Sequence, residues 1–355
     1  ITATTFETLT GNKCLIDTFD RNFEFSVEHV ALAKQADLVL IAPATANVIG
    51  KIAGGIADDM LTTTVMACTC KKLIAPAMNH NMYHNPIVQE NLEKLKRYDY
   101  EIIDPVCGML ANGDTGDGKL PSEETLVQYV LKELAFPKDM QDMRVLVTAG
   151  ATQESIDPVR YITNHSTGKM GYAIAKMAML RGAKVTLVSG PTALEIPMFL
   201  EYVPVVSAEE MCQEVLKRAG EQDMIIKAAA VADYRPANTA TEKIKKSDEE
   251  AQLQLERTTD ILAALGKQKG NTVLCGFSME TENMLENSRK KLEKKNLDMI
   301  VANNLKQEGA GFGTDTNILT LITRDAEHEL EIMSKEKAAG CLLDELCAIR
   351  KKRQG

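Results

Sequence analysis

The stretch TNHSTGKMGYAIAKMAMLRGAKVTLVSGP, starting at Thr163, sets polar residues and glycine ahead of a helix-forming run and then a β-branched run. Ser166, Thr167 and Gly168 would stand at the helix N-terminus, where unpaired amides and the helix dipole favour an anion. The same residues would serve equally as a plain N-cap, with Ser166 or Thr167 supplying the side chain. Neither common phosphate loop is present. G-x-G-x-x-G is absent, and Gly168-Lys169 is followed by Met170 where a Walker loop needs Ser or Thr. The preceding loop, ATQESIDPVRYITNHSTGKMG, is long for a strand-to-helix connection, and loops of that length usually have a function.

Other loops carry candidates. In KAAAVADYRPANTATEKIKKSDEE, Asp233 would sit at the carboxyl end of a strand, a place suited to a metal or a ribose. Lys243, Lys245 and Lys246 fall in a Pro/Thr-rich, flexible setting. A lysine there can close over a triphosphate and offset charge developing in phosphoryl or nucleotidyl transfer; a solvated charged loop would read the same way. Nearer the N-terminus, LIAPATANVIGKIAGGIADDMLTTT puts small residues after a strand, so a flat ligand can approach the backbone. APAMNHNMY ends a further strand with Asn79, His29 lies in the helical pattern VEHVALAKQA, and ANGDTGDGKLP reads as a mobile flap.

The elements that must hold these loops alternate. Helical EHVALAKQA, strand DLVLIAPA, one helix over ANVIGKIAGGIADDMLTTTVMAC, strand KLIAPAM, helix NPIVQENLEKLKRY and strand YEIIDPV come first. After a break at FPKDMQDM the alternation restarts with strand RVLVTAG, helix MGYAIAKMAMLRG with Gly182 as its cap, and strand KVTLVSGP. Helix SAEEMCQEVLKRA and strands DMIIKAAAV, TVLCGFSM, DMIVANN and NILTLITRD follow, and the final 20 or so residues read as a helix with a solvated basic tail. This predicts two α/β domains, residues 1–137 and 142–355, each a doubly wound Rossmann-like sheet with ligands at the carboxyl ends of its strands.

Composition bounds the function. Hydrophobic residues make up 45% and charged residues 26%, enough for real cores. Aromatics are 5% with no Trp, and the net charge is −9. Both argue against nucleic acid as a partner. No apolar run reaches the roughly 18 residues of a membrane span, and no signal peptide is visible. Eight scattered cysteines fit reduced thiols rather than a disulfide framework or a zinc site, pointing to the cytoplasm.

Taken together the motifs resemble one family: bifunctional coenzyme A biosynthesis proteins, in which a phosphopantothenoylcysteine decarboxylase is fused to a phosphopantothenate–cysteine ligase. EHVALAKQADLVLIAPATAN, AGGIADDMLTT, APAMNHNMY, GDTGDGKLP, TAGATQESIDPVRYITNHSTGKMG, AAAVADYRPANTATEKIKK and KKNLDMIVANN run in family order over nearly the whole chain. The resemblance implies that the second domain activates the carboxylate of 4′-phosphopantothenate with CTP and Mg²⁺. Pyrophosphate leaves an acyl-cytidylate, and the amine of cysteine attacks it. By the same carry-over Asn164 handles the acyl-cytidylate and Lys243 supports its formation. Asp233, Lys243, Phe277, Lys291 and Lys295 contact CTP, while the Mg²⁺ ligands stay unassigned.

For the first domain the resemblance implies FMN, which oxidises the thiol of phosphopantothenoylcysteine so that CO₂ can leave; reduction of the resulting enethiol then gives 4′-phosphopantetheine. His29 is implied as the catalytic histidine and Asn79 as the ligand of the substrate carboxylate. Ala44, Thr45, Ala46, Asn47 and Ala77 are implied as the flavin wall. Homo-oligomers are also implied, trimeric through the first domain and dimeric through the second, up to a dodecamer. Two departures stand out. The sequence starts at ITATTFETLTG, without the family's opening strand, glycine-rich phosphate loop and first helix, so either a shortened sequence or an incomplete flavin site is expected. The family's flap reads A-C-G-D-x-G with Cys as proton donor, and Asn112 stands there instead. A carboxamide cannot act as that acid, so impaired enethiol reduction is expected; Cys107 is out of register. A ligase whose first domain is only an assembly platform, and a flavin-binding regulatory subunit, are the alternatives.

Overall fold

The computed structural model describes residues 2–18, 28–109, 113–245, 252–279, 283–303 and 315–354. The chain folds into two compact units, Ile1–Ala135 and Phe136–Gly355. Both are α/β.

In the first unit the strands Leu38–Ala44, Lys71–Pro76 and Tyr100–Ile102 pair in parallel in that order. Their apolar runs suit a sheet covered on both faces. Helix Pro86–Arg97 buries Val88, Leu92 and Leu95 at helical spacing, and Asn85 caps its start ahead of Pro86. The single helix expected over residues 46–68 is two, Ala46–Gly54 and Met60–Ala67. Gly55 stops the first with φ +72°, and Asp59 starts the second in a capping box with Thr62. The strand expected over YEIIDPV also divides. Pro105 has no N–H to give a ladder, and Val106–Met109 leaves the sheet to pair antiparallel with Thr115–Lys119. The stretch expected to be a flap thus supplies one strand of a hairpin.

In the second unit eight strands form one sheet. Its spatial order is Glu201–Pro204, Lys184–Ser189, Arg144–Ala149, Met224–Lys227, Val273–Met279, Met299–Asn303, Leu319–Thr323 and Glu327–Glu329. The first six are parallel and the last two antiparallel. In sequence terms the parallel strands lie 3-2-1-4-5-6, the doubly wound order of dinucleotide folds. One core joins Leu146, Ile225, Leu274 and Ile300 to the helices Ala208–Ala219 and Ile261–Gln268. The C-terminal helix Lys335–Gln354 packs on helix Lys169–Leu180. Its basic end is exposed at Lys351 and Lys352, as expected of a solvated tail, while Arg350 Nη2 donates to Asp223 Oδ1 at 2.5 Å and Arg353 donates to the buried Asp298. All eight cysteines are free thiols. Among the described residues no helix is long and apolar enough to cross a membrane.

Helix Lys169–Leu180 lies against its strand with almost nothing between. A Cβ on Gly171 would sit 2.6 Å from Ala149 Cβ and 3.0 Å from Thr148 O. Both obstacles are too close to the main chain to swing away. Gly171→Ala is expected to destabilise the protein by about 1–3 kcal/mol through this overpacking, read from denaturant unfolding, whereas Gly220→Ala, with nothing within 4 Å, should not.

Candidate functional site

The parallel strands Arg144–Ala149 and Met224–Lys227 are neighbours whose connections leave in opposite directions, and ligands settle at such a switch point. The loops leaving them are stitched together. Ala230 N donates to Gly150 O at 2.9 Å, and Thr152 N donates to Ala230 O at 3.2 Å. Ala229 N and Ala232 N donate to Thr148 Oγ1 and Thr152 Oγ1 at 3.2 and 3.0 Å. Asn164 Nδ2 joins by donating to Ala230 O at 3.3 Å.

The glycine fingerprint missing from the sequence is present in space. Gly150, at φ +75°, makes the turn after the first strand. Gly168, at φ +80°, opens the helix, and Gly171 lets the helix touch the strand. The fingerprint's spacing is interrupted between its first two glycines by the inserted loop. Gly190 completes the cluster, since a Cβ there would meet Ala151 O at 2.4 Å. Neither Ser166 nor Thr167 caps the helix. The cap residue is Gly168 with no side-chain bond, and Ser166 Oγ accepts only from Gly168 N, at 3.4 Å.

A cavity of about 460 Å³ opens over these loops, and it gathers Asn164, Asp233, Phe277, Lys291 and Lys295. Three further lysines line it, Lys169, Lys227 and Lys335, against a single carboxylate among the described residues, Asp233. Burial pushes the Lys227 ammonium down to about 8, helped by the nearby positive charge of Lys295 and opposed by Asp260 and Asp233. Burial and Lys169 also lower Lys335, which donates to Thr316 O at 3.2 Å. Lys295 is held by Asp260 at 2.8 Å and Lys169 by Asp315 at 2.7 Å. Burial disfavours the Asp260 carboxylate, but its bonds from Lys295 and Ala263 N hold it below the ordinary range. Five lysines converging in an acidic chain make a pocket for a polyanion. Lys227 and Lys335 were missed in the sequence; the available signal was a lysine ending an otherwise apolar strand, DMIIK.

Lys243 does not line this cavity and is exposed, and hydrogen bonds on either side of it, at Thr239, Ala240 and Ile244, join its loop to the neighbouring one. Thr239 Oγ1 donates to Ser155 O at 3.1 Å and Ala240 N to Ile156 O at 3.0 Å. The buried Asp157 accepts from Val159 N, Arg160 N and the Arg160 guanidinium, and also from Ile244 N at 3.2 Å. Arg160 in turn donates to Ile244 O at 3.0 Å. The Arg160 contact, with the backbone bonds, holds the Asp157 carboxyl far below its usual range against the cost of burial. Lys243 is therefore tethered to the same loop that carries Asn164. Lys246 lies outside the described residues.

In the first unit Ala44 is buried at its strand's end, followed by exposed Thr45, half-buried Ala46 and exposed Asn47. Thr45 caps helix Ala46–Gly54 through a bond from Val48 N. Ala77 N donates to Ala44 O at 3.0 Å, which joins the two strand ends. Small side chains over two adjacent carboxyl ends leave a shelf that fits a flat ring such as a flavin. Asn79 follows, half-buried, with Oδ1 accepting from Asn81 N at 2.9 Å. His29 is half-buried on helix Glu28–Gln35. Asn112 lies outside the described residues.

Comparison with known proteins agrees with both units. The flavoprotein family profile matches residues 1–135, and the profile for the DNA/pantothenate metabolism flavoprotein C-terminal domain matches residues 140–349. The coenzyme A biosynthesis bifunctional protein CoaBC of Bacillus subtilis (strain 168) is 46% identical over 351 residues, covering 98% of this chain and 86% of that protein. A cysteine/cysteine sulfinic acid decarboxylase from an unknown prokaryotic organism is 42% identical over 356 residues, covering 98% and 99%. The crystal structure of the C-terminal domain of a CoaBC protein is 46% identical and superposes with a TM-score of 0.52, covering 60% of this chain and 99% of that one. With both profiles matched in order and the identity running nearly end to end, the chain belongs to the family of bifunctional coenzyme A biosynthesis flavoproteins.

Proposed function

We propose that the chain catalyses two consecutive steps of coenzyme A biosynthesis, each on one unit. The unit from Phe136 joins 4′-phosphopantothenate to cysteine with CTP and Mg²⁺. The unit up to Ala135 decarboxylates the product, phosphopantothenoylcysteine, with FMN. The observation that carries the reading is the lysine-lined cavity at the switch point, with Asn164 in it and the Lys243 loop tied beside it.

The ligase chemistry follows from those residues. CTP and 4′-phosphopantothenate are both polyanions, and Lys227, Lys291, Lys295 and Lys335 offset their charge where water is partly excluded. Phe277 offers an apolar face to the nucleotide. Asp233 is the carboxylate in reach of a bound Mg²⁺, which would supply Lewis-acid stabilisation of the leaving pyrophosphate. Asn164 holds the acyl-cytidylate without competing as a nucleophile, and Lys243 faces the charge that develops as it forms. In the first unit FMN, when bound, takes up the electrons of thiol oxidation. Ala44, Thr45, Ala46, Asn47 and Ala77 wall it, Asn79 orients the substrate carboxylate, and His29 moves the proton. A trimer through the first unit and a dimer through the second follow the family pattern. Free cysteine is the competing substrate for the first unit, since one relative is a decarboxylase of cysteine itself. A ligase in the same chain, making phosphopantothenoylcysteine, favours the conjugate.

Incubation with 4′-phosphopantothenate, CTP, Mg²⁺ and cysteine is expected to yield CMP and phosphopantothenoylcysteine by mass spectrometry. With FMN present, one CO₂ is lost and one enethiol is formed per FMN, and turnover stops there with the flavin reduced, because Asn112 cannot donate the last proton. No CMP would overturn the ligase reading, and 4′-phosphopantetheine would overturn the reading of Asn112. Lys227→Met is expected to weaken CTP binding by about tenfold, the loss of one charge-assisted contact. Wild-type affinity should also fall as pH rises through about 8, where the free enzyme's Lys227 loses its proton. Calorimetry across that range should find this extra fall absent in the variant. Asp157→Asn releases the Lys243 loop, so ligase kcat/KM is expected to drop about 10–100-fold while CTP binding changes less than about threefold.

A further inference from the structure

We propose that His80, His84 and Asp117 in the first unit form a binding site for a divalent transition-metal ion of the Zn²⁺ class. One ligating atom from each residue lies within 4.8 Å of the other two. His84 Nε2 and Asp117 Oδ2 are 3.1 Å apart, and the two imidazole rings stand 4.5 Å apart at 61°. Tetrahedral Zn²⁺ with bonds of about 2.0–2.1 Å spaces its ligand atoms about 3.4 Å apart. Small side-chain rotations therefore close the set.

A second observation points the same way. His80 Nδ1 is shielded from solvent and has no hydrogen-bond partner among the described residues. A buried polar nitrogen left in that state is costly, and an ion is one of the few ways to account for it. An ordinary reading of His84 and Asp117 as an exposed ion pair contributes little to stability and leaves His80 unexplained. The donor set decides the metal. Two imidazoles and one carboxylate favour Zn²⁺, Ni²⁺ or Cu²⁺ over Mg²⁺ or Ca²⁺, which want oxygen ligands. Three protein ligands leave a fourth position for water.

The placement gives the ion a mechanical consequence. His80 and His84 flank the single turn that follows Asn79, whereas Asp117 comes from the hairpin strand Thr115–Lys119. These segments already touch. Met78 N donates to Gly118 O at 2.9 Å, and a Cβ on Gly116 would lie 3.0 Å from the His80 ring. The metal cross-links the Asn79 turn to the hairpin.

The test uses the full chain stripped with chelator, then titrated with ZnCl₂ by calorimetry, with zinc per chain counted after gel filtration. One zinc is expected per chain at this site. His80→Ala, His84→Ala and Asp117→Asn should each weaken it by about 10–100-fold or more, and the double histidine variant should lose it. Zinc should slow amide hydrogen exchange across Thr115–Lys119 in the wild type and not in the double variant. These readouts need no turnover, so they stand whether or not the catalytic assignments hold. Failure of the wild type to retain zinc would overturn the proposal. So would wild-type retention in the double variant, which would assign the ion to the free thiols instead.

Discussion

The second unit depends on main chain touching main chain at one place. Where Gly150, Gly168, Gly171 and Gly190 meet, only the Thr192 and Ala149 methyl groups stand among the backbones of the helix, the strand and the neighbouring turn. That contact brings the start of helix Lys169–Leu180 against the carboxyl end of strand Arg144–Ala149. It also sets where the inserted loop must return, because residues 151–167 have to leave Gly150 and come back to Gly168 beside it. The short hairpin Gln153–Ser155 with Tyr161–Thr163 is the economical solution, and it places Asn164 at the mouth of the switch point. Ala230 then serves as a hub, its N–H and C=O both taken by the loop from the adjacent strand. These bonds let backbone packing set much of the cavity's shape.

The charge on that frame is arranged in opposition to the rest of the chain. A net charge of −9 would repel a nucleotide triphosphate at long range. The cavity reverses the sign locally, and it does so with lysines that repel one another: Lys227 with Lys295, and Lys335 with Lys169. Each pair has a carboxylate beside it, Asp260 at Lys295 and Asp315 at Lys169. At about 4 Å a single like-charge contact costs about 4 kcal/mol at an effective dielectric near 20. The carboxylates offset part of that cost without entering the cavity, so the site remains positive and the lysines are held ready. Among the described residues Lys227 receives no such bond, and burial depresses its ammonium to about 8.

How far the site could be read from sequence follows from where its information lies. The order of the elements and the strand ends were legible, because apolar runs and their periods report burial directly. Breaks inside those runs were harder. Gly55 and Asp59 split an apparently continuous helix, and Pro105 redirected a strand, although each is an ordinary punctuation residue. The glycine fingerprint escaped because its parts are adjacent in space and separated in sequence by the inserted loop. Asp157 escaped for a related reason: its partners Arg160 and Ile244 belong to two loops, and only the folded chain shows one carboxylate holding both. Lys227 looked like an odd residue at the end of a buried strand; its meaning depends on Lys295 and Asp260, which arrive from other elements.

The two asparagines at the heart of the two units are oriented oppositely, and backbone partners fix both orientations. Asn79 Oδ1 accepts from the main-chain N–H of Asn81, which sets the oxygen end of the carboxamide against the start of its own helical turn and leaves the amide N–H groups as its donors. On the proposed reading, those donors would meet the carboxylate that phosphopantothenoylcysteine loses. Asn164 is anchored the other way, its Nδ2 donating to a main-chain carbonyl. On the proposed reading, the other N–H and the Oδ1 acceptor would face the reaction. An acyl oxygen can take the N–H, and the incoming amine of cysteine can donate to Oδ1 as its nitrogen approaches the acyl carbon. Reversing either anchor would present the wrong polarity: an acceptor facing a carboxylate in the first unit, and no acceptor for the amine in the second. On the proposed reading, the capping bond at Asn79 and the Ala230 hub would each select which end of a carboxamide meets the substrate.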